Sequence, residues 1–302
     1  MRSEHINVKI GFYVIRGLDI LQRIYMRAVS YILPNRVCRT TFGVLMACHS
    51  RDFVQRRIRF FGIFEHNLSY LTAQRLRAGD LYIDVGANVG YFTALAAKIV
   101  GPAGRVISIE ADPRTYARLM QNIRINNFEN VTAYNVAATA ERCEVSIQQG
   151  EARNSGSNSV VVGGYGLTVP GLPLREILGE DIGRARFIKI DIEGSEASVL
   201  QAILEDLGKL PPDLIVASEV SQGSAEFVAR FVNAGFRAYG LHNPYTIDYY
   251  LVRAFLSRFS EAGVVAMQPM AAFDPAYTDY VFERMKGRGD PSAVQPSVYL
   301  GS

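Results

Sequence analysis

The stretch Asp84-Val85-Gly86-Ala87-Asn88-Val89-Gly90-Tyr91 constrains this chain more than any other, because it joins an apolar strand to an apolar helix through two glycines. Glycines in such a turn let the backbone bend tightly and come close to a ligand where a Cβ would intrude. The helix beyond them offers free N–H groups and the positive end of its dipole. Glu110 closes the next apolar run, twenty-four residues after Gly86. A carboxylate in that place accepts hydrogen bonds from both ribose hydroxyls of an adenosine.

From Ala78 onward, strand and helix patterns alternate regularly. This predicts a doubly wound α/β domain, a mostly parallel sheet with helices on both faces. Strands are expected at 81–85, 106–110, 131–136, 187–191, 214–220 and 237–241, with a late one at 278–284. Helices are expected at 91–100, 113–126, 195–207 and 224–234. Upstream, 51–77 reads as a strand over 60–64 and then a helix ending at Arg77. The Gly/Ser/Asn-rich stretch 150–166 reads as a plain hairpin or a lid, and the tail 287–302, with Pro291 and Pro296, as disordered.

Two cofactor classes share the glycine-loop geometry. The dinucleotide fingerprint G-x-G-x-x-G uses its second glycine to admit a pyrophosphate. Asn88 stands there in this chain, and Asp84 at the end of the first strand would repel phosphates. The same acid suits a cofactor that is cationic at sulfur and carries an amino group, which selects S-adenosylmethionine.

The second unusual stretch is Phe187-Ile188-Lys189-Ile190-Asp191-Ile192-Glu193-Gly194-Ser195-Glu196. Alternation puts Ile188 and Ile190 on one face, and Lys189, Asp191 and Glu193 on the other. Charges on a central strand are costly to bury unless they pair or work. Beside the first strand, Lys189 would meet Asp84 as an ion pair beneath the cofactor. Asp191 would face the crevice at the carboxyl end of the sheet, joined by Glu219 from the next strand. Methyl transfer to a hydroxyl needs alignment and a base for the hydroxyl proton. The candidate catalytic set is therefore Asp191 and Glu193 as bases, Glu219 as orienter, and Lys189. Asp191, Glu193 and Glu219 could alternatively hold Mg²⁺, but no dense acidic cluster marks the site, so a metal is not favoured.

These motifs resemble the FkbM family of S-adenosylmethionine-dependent methyltransferases. The resemblance runs from about residue 60 to 285, through EH at 65–66, GDLYIDVGANVGYFT at 79–93, GRVISIEADP at 104–113, FIKIDIEGSEASVL at 187–200, and Glu219. It implies a Rossmann-like class I fold of seven strands with one antiparallel, and O-methylation of hydroxyls on sugars, glycolipids or polyketide products. Cofactor contacts are then expected at Glu65, Asp84, Gly86, Ala87, Asn88, Gly90, Tyr91, Glu110, Ala111, Asn135, Ala137 and Asp191. One departure is Ala217-Ser218 before Glu219, where many relatives are more apolar.

The resemblance leaves out a basic N-terminal part. Residues 1–60 carry eleven Lys/Arg against Glu4, Asp19 and Asp52, a local charge of +8 in a chain of net +3. Residues 1–59 read as a basic amphipathic helical extension, 60–286 as the methyltransferase domain. Within 6–33, Lys9, Arg16 and Arg23 recur every seven residues, and Ile10, Val14, Leu18, Leu21 and Tyr25 form an apolar face. Such a helix could lie peripherally on a membrane, or pack on its own domain or in a homodimer. Charges interrupt it, so it is neither a secretory signal nor a spanning helix. Cys38, Cys48 and Cys143 are few and scattered, as expected for a cytoplasmic chain.

His66 and His242 are secondary candidates for the site. Tyr245, Tyr249, Tyr250, Phe255 and Phe259 read as core rather than as sugar-stacking platforms. N-methylation of protein or RNA is a competing reading that the basic arm favours. Asp191-Ile192-Glu193-Gly194 stands where an Asn-Pro-Pro-Tyr type motif would be needed. No aromatic-interleaved basic patch favours a nucleic-acid partner. A non-catalytic binding module is opposed by the intact Asp84, Gly86, Gly90, Glu110 and Asp191.

Overall fold

Along β3 (Leu81–Val85), Leu81, Ile83 and Val85 alternate with Tyr82 and Asp84, and every one of the five is buried. A strand with both faces covered must lie inside a sheet flanked on each side. The computed structural model, which describes residues 28, 34–148, 159–162, 167–192, 194–246, 249–250 and 267–284, shows this arrangement. Among these residues the elements before β3 are strands β1 (Arg36–Arg39) and β2 (Leu45–Cys48) and helices α1 (Phe53–Phe61) and α2 (His66–Arg75). After β3 come α3 (Tyr91–Val100), β4 (Arg105–Ile109), α4 (Pro113–Ile125), β5 (Val131–Tyr134), β6 (Ala137–Thr139), β7 (Cys143–Gln148), β8 (Ser159–Val162) and β9 (Leu167–Pro173). The remainder is α5 (Leu174–Leu178), β10 (Ala185–Ile190), α6 (Glu196–Glu205), β11 (Ile215–Glu219), α7 (Glu226–Asn233), β12 (Phe236–Leu241), β13 (Met267–Met270) and β14 (Asp279–Arg284).

The main sheet has eight strands in the order β13-β12-β14-β11-β10-β3-β4-β5. The six strands β5, β4, β3, β10, β11 and β12 run parallel, while β14, between β11 and β12, and the edge strand β13 run against them. The count differs from the expected seven by β13, a segment that carries Pro269 and gave no strand pattern. One face packs Tyr82 and Phe187 against Tyr91, Phe92 and Leu95 of α3 and Leu68 and Leu71 of α2. The other packs Ile83, Ile188 and Val216 against Leu200 and Ile203 of α6 and Phe227 and Phe231 of α7. Fully burying such a side chain contributes about 1.5–3 kcal/mol.

Two expectations for the N-terminal part are corrected. Residues 60–64 do not form a strand. Asp52 caps α1 by accepting from the Gln55 amide at 2.9 Å, and Val54 and Ile58 face the core. The helix runs on to Phe61, where Gly62 at φ 72° stops it. Nor is the part up to residue 59 purely helical. Residues 36–48 form the β1–β2 hairpin, and Cys38, Met46 and Cys48 enter the same core as α3. The amides of Leu45 and Ala47 donate to Asn126, which caps the end of α4, and to Asn122 of α4, each at 2.8 Å. Apart from residue 28, the stretch 6–33 lies outside the described residues, as does the tail 287–302. Among the described residues, no helix is long and apolar enough to cross a membrane.

A second, four-stranded sheet, β6-β9-β7-β8, follows β5. β7 and β8, on either side of residues 149–158, pair antiparallel. Residues 149–158 and 163–166 lie outside the described residues.

Candidate active site

The carboxyl ends of β3, β4 and β10 meet at the glycine loop. Asn88 sits at φ 50°, a left-handed conformation that asparagine tolerates, and its Oδ1 accepts from the Val89 amide at 2.8 Å. The Asn88 amide donates to Glu110 Oε2 at 2.8 Å, and the Asp112 amide to Oε1 at 2.9 Å. Glu110 is thus a half-buried carboxylate at the crevice, held by two amides. Burial still pushes it up to about 7, against those two donors. Asn135 Nδ2 donates to the carbonyls of Glu110 and Ala111 at 2.8 and 2.9 Å, fixing that turn. Ala111 and Ala137 pack together at the edge of the second sheet.

The glycines answer to the protein itself. A Cβ on Gly86 (φ 78°) would stand 1.8 Å from the carbonyl oxygen of Asp191. The loop after β3 and the turn after β10 therefore touch backbone to backbone, and the Asp191 amide donates to the Val85 carbonyl at 3.0 Å. On Gly90 (φ 84°) a Cβ would meet Leu119 of α4 at 2.5 Å. Ala87 packs beside Leu119. Tyr91 begins α3, but its side chain turns into the core, with its hydroxyl 3.1 Å from Ser69 Oγ.

Below the loop, Asp84 is fully buried and its Oδ2 accepts from Thr93 Oγ1 at 2.6 Å. Its Oδ1 has no hydrogen-bond partner among the described residues. Burial raises its pKa, against Lys189 and Thr93. Lys189 stands beside Asp84 in register, yet the expected ion pair is not the one made. Lys189 Nζ instead donates to Asp191 Oδ2 at 3.0 Å and lies 5.1 Å from the centre of the Phe92 ring. Burial opposes its charge, but Asp191, Asp84 and Glu65 outweigh burial and raise its pKa. The side chain of Asp191 keeps 31% of its exposure while that of Lys189 keeps 4%, so the carboxylate alone reaches the crevice.

Three more carboxyls close in from other elements. Glu65 precedes α2 at φ 43°, is 4% exposed, and accepts from the Tyr245 hydroxyl at 2.7 Å. Burial, then Asp279 and Asp191, push it up to about 8. Glu219 ends β11 directly opposite Asp279 on β14, and burial followed by Asp191 and Asp279 pushes it up to about 10. Asp279 is 5% exposed and accepts from Asn243 Nδ2 at 3.0 Å; burial lifts it to about 6. Asn243 Oδ1 in turn accepts from the Asn67 amide, and Asn67 Nδ2 donates to the His242 carbonyl.

Asp279, Asn243 and Tyr245 were missed as site residues, and no dense acidic cluster was legible in the sequence. The five acids come from five separate elements, and only the register of β11 on β14 brings Asp279 to Glu219. Among the described residues no three His, Cys, Asp or Glu side chains stand where they could hold a metal ion. His66 is a core residue between Tyr249 and Tyr250, His242 is exposed, and Glu193, Phe255 and Phe259 lie outside the described residues.

The pattern of the methyltransferase FkbM domain matches residues 84–238, just over half of the chain. The chain belongs to the FkbM methyltransferase family. This FkbM chain is also similar to a protein-L-isoaspartate O-methyltransferase of Ignicoccus hospitalis, 37% identical over 68 residues, 22% of this chain and 32% of that protein. Protein-L-isoaspartate O-methyltransferase 2 of Archaeoglobus fulgidus is 41% identical over 56 residues, 18% of this chain and 26% of that one. The chain thus spans about a third or less of the length of these relatives. Among solved structures it resembles methyltransferase FkbM from Methylobacillus flagellatus at 16% identity, covering 89% of this chain and 60% of that one, with a TM-score of 0.37. The FkbM match ends short of Glu65 on one side and of Tyr245 and Asp279 on the other.

Proposed function

We propose that this FkbM chain is an S-adenosylmethionine-dependent O-methyltransferase whose acceptor is a hydroxyl of a sugar, glycolipid or polyketide-type metabolite. The observation that carries the reading is Asp191: a part-exposed carboxylate at the carboxyl end of β10 that Lys189 fixes, while the carbonyl of Asp191 abuts Gly86. A carboxylate at the border between the glycine loop and the open end of the sheet supports a role as proton acceptor.

The residues present fit S-adenosylmethionine. Glu110, oriented by the Asn88 and Asp112 amides, would hold the ribose hydroxyls, and the unpartnered Asp84 Oδ1 a donor from the amino-acid end. When bound, the cofactor supplies an electrophilic methyl group. Asp191 takes the proton of the acceptor hydroxyl, Lys189 keeps that carboxylate oriented, and Asp279 and Glu219 line the far wall. An acceptor that is itself a carboxylate, as the isoaspartate relatives' names indicate for them, would face four acids and one lysine. These carboxyls are already too buried and crowded to ionise together, and a further anion among them would be poorly compensated, which favours a neutral hydroxyl. Contact of residues 6–33 with a membrane, or with a second copy, belongs to the same proposal, since a glycolipid acceptor lies in a bilayer.

The test has two stages. Calorimetric titration of S-adenosylmethionine should show binding in the wild type and its loss in Glu110→Ala. A screen of sugars, glycolipids and polyketides should then find methyl incorporation on oxygen that Asp191→Asn abolishes. Methylation of peptide or RNA nitrogen instead would overturn the acceptor, and no binding in the wild type would overturn the enzyme.

A further inference from the structure

Around Lys189 the sheet gathers Glu65 from the start of α2, Asp84 from β3, Asp191 after β10, Glu219 from β11 and Asp279 from β14. Five carboxyls and one ammonium cannot all be ionised in a buried space, because each charge beyond the first pair is repelled and poorly solvated. Tyr82, Tyr91, Tyr245 and Tyr250 are titratable groups beside them, and burial raises the pKa of each above its usual value, so all four stay neutral. The surplus negative charge is therefore removed by protons held on the carboxyls.

Two further observations leave polar groups of the cluster short of partners among the described residues. Asp84 Oδ1, on a fully buried residue, has no partner among the described residues. Lys189, 3% exposed, has three N–H donors but makes one hydrogen bond among them, to Asp191. Glu65 and Asp279, by contrast, are held by built contacts: Tyr245 on Glu65 Oε1, and Asn243 and Thr278 on Asp279 Oδ2. Each of the two thus keeps one carboxyl oxygen without a hydrogen bond among the described residues.

We infer that Glu65, Glu219 and Asp279 form a proton-exchanging cation site, which surrenders a proton to solvent when the positively charged methyl donor enters and takes one back when the neutral product is left. The inference rests on S-adenosylmethionine being the donor. Its balance is simple: a carboxylic acid becomes a carboxylate, the proton goes to buffer, and the incoming sulfonium replaces it as counter-charge. The ammonium and carboxylate of the amino-acid end are common to donor and product. Methyl transfer removes the sulfonium charge, so the product no longer compensates the site and is held less tightly than the donor. The groups suit the task in the neutral range, since Glu65 stands at about 8 and Asp279 at about 6.

Calorimetry of the full chain at pH 7 in phosphate and in Tris, buffers with different ionisation heats, reads the protons released. S-adenosylmethionine should release roughly 0.5–1 proton and S-adenosylhomocysteine close to none, and donor affinity should rise up to about tenfold per pH unit between pH 6 and 8 while product affinity stays flat. Glu65→Gln and Asp279→Asn keep the acceptor oxygens that Tyr245 and Asn243 need, so both should fold, and each should reduce the proton count. Equal proton counts for the two ligands, or counts unchanged in both variants, would overturn the exchange and leave the donor assignment standing. Failure of either ligand to bind folded wild type would overturn both.

Discussion

Replacing Gly86 by alanine tests the closest contact in the site. The residue sits at φ 78°, where an L side chain costs about 1–2 kcal/mol. The new Cβ would lie 1.8 Å from the oxygen and 2.7 Å from the carbon of the Asp191 carbonyl. Both atoms are backbone, so β3 and β10 must separate locally, at about 1–3 kcal/mol for overpacking. Losing the hydrogen bond from the Asp191 amide to the Val85 carbonyl adds about 1 kcal/mol. The whole comes to about 4 kcal/mol, or roughly 8–16 °C in Tm for a domain of this size. Gly90→Ala meets only the tip of Leu119, which can turn aside, and should lose about 2 kcal/mol. Gly79→Ala, at φ 91° with nothing within 4 Å of its Cβ, isolates the backbone strain at about 1 kcal/mol. Urea unfolding of the three variants gives the ranking directly. If Gly86→Ala fell within about 0.5 kcal/mol of Gly79→Ala, the Asp191 carbonyl would not be what requires glycine, and the proposed rigid junction between loop and base would be refuted.

Other expectations follow from the same contacts. Asn122 holds the Ala47 amide and the Val89 carbonyl at once, so Asn122→Ala should lose about 2–4 kcal/mol in urea, one to two for each stranded partner, with faster hydrogen exchange at Ala47. A carboxyl whose folded pKa exceeds its unfolded value binds more protons folded than unfolded. Glu65, raised from 4.5 to about 8, therefore stabilises the fold least at high pH: stability should fall by a few kcal/mol between pH 5 and 8, and Glu65→Gln should flatten that slope in unfolding experiments. Lys189→Met strands the acids around it and should destabilise by about 3–5 kcal/mol at pH 8. The deficit should shrink at pH 5, where Glu65 and Asp279 hold their protons; an equal deficit at both would remove Lys189 from the charge balance.

Elements with a strong local signature were readable in advance. The helix at 91–100 and the strand at 81–85 coincide with α3 and β3, because glycine, strand period and helix period all change at the same residues. The run Phe60-Phe61-Gly62-Ile63-Phe64 misled, since an apolar run looks alike as strand or as the end of a helix, and the deciding signals were Asp52 and Gly62 on either side. The hairpin at 36–48 has two four-residue strands, the first of them half arginine, and is held by Asn122 and Asn126, more than seventy residues away. In the site, the carboxyl-end positions of Asp84, Glu110, Asp191 and Glu219 followed from strand ends alone. Tyr245 on Glu65 and Asn243 on Asp279 are contacts between distant segments, and nothing in local spacing announces them.

The position of β14 bears on how the chain comes into being. It is the last described strand, yet it fills the gap between β11 and β12. As the polypeptide leaves the ribosome, β11 and β12 emerge with the hydrogen-bonding edges that face this gap unmatched until residue 284 follows. Asp279 enters on that same strand, so Glu219 acquires its partner only at the final closure. A nascent chain stalled near residue 240 would hold the glycine loop and Glu110 intact but display two sticky edges, which makes it a natural client for a chaperone and an unsafe place to truncate.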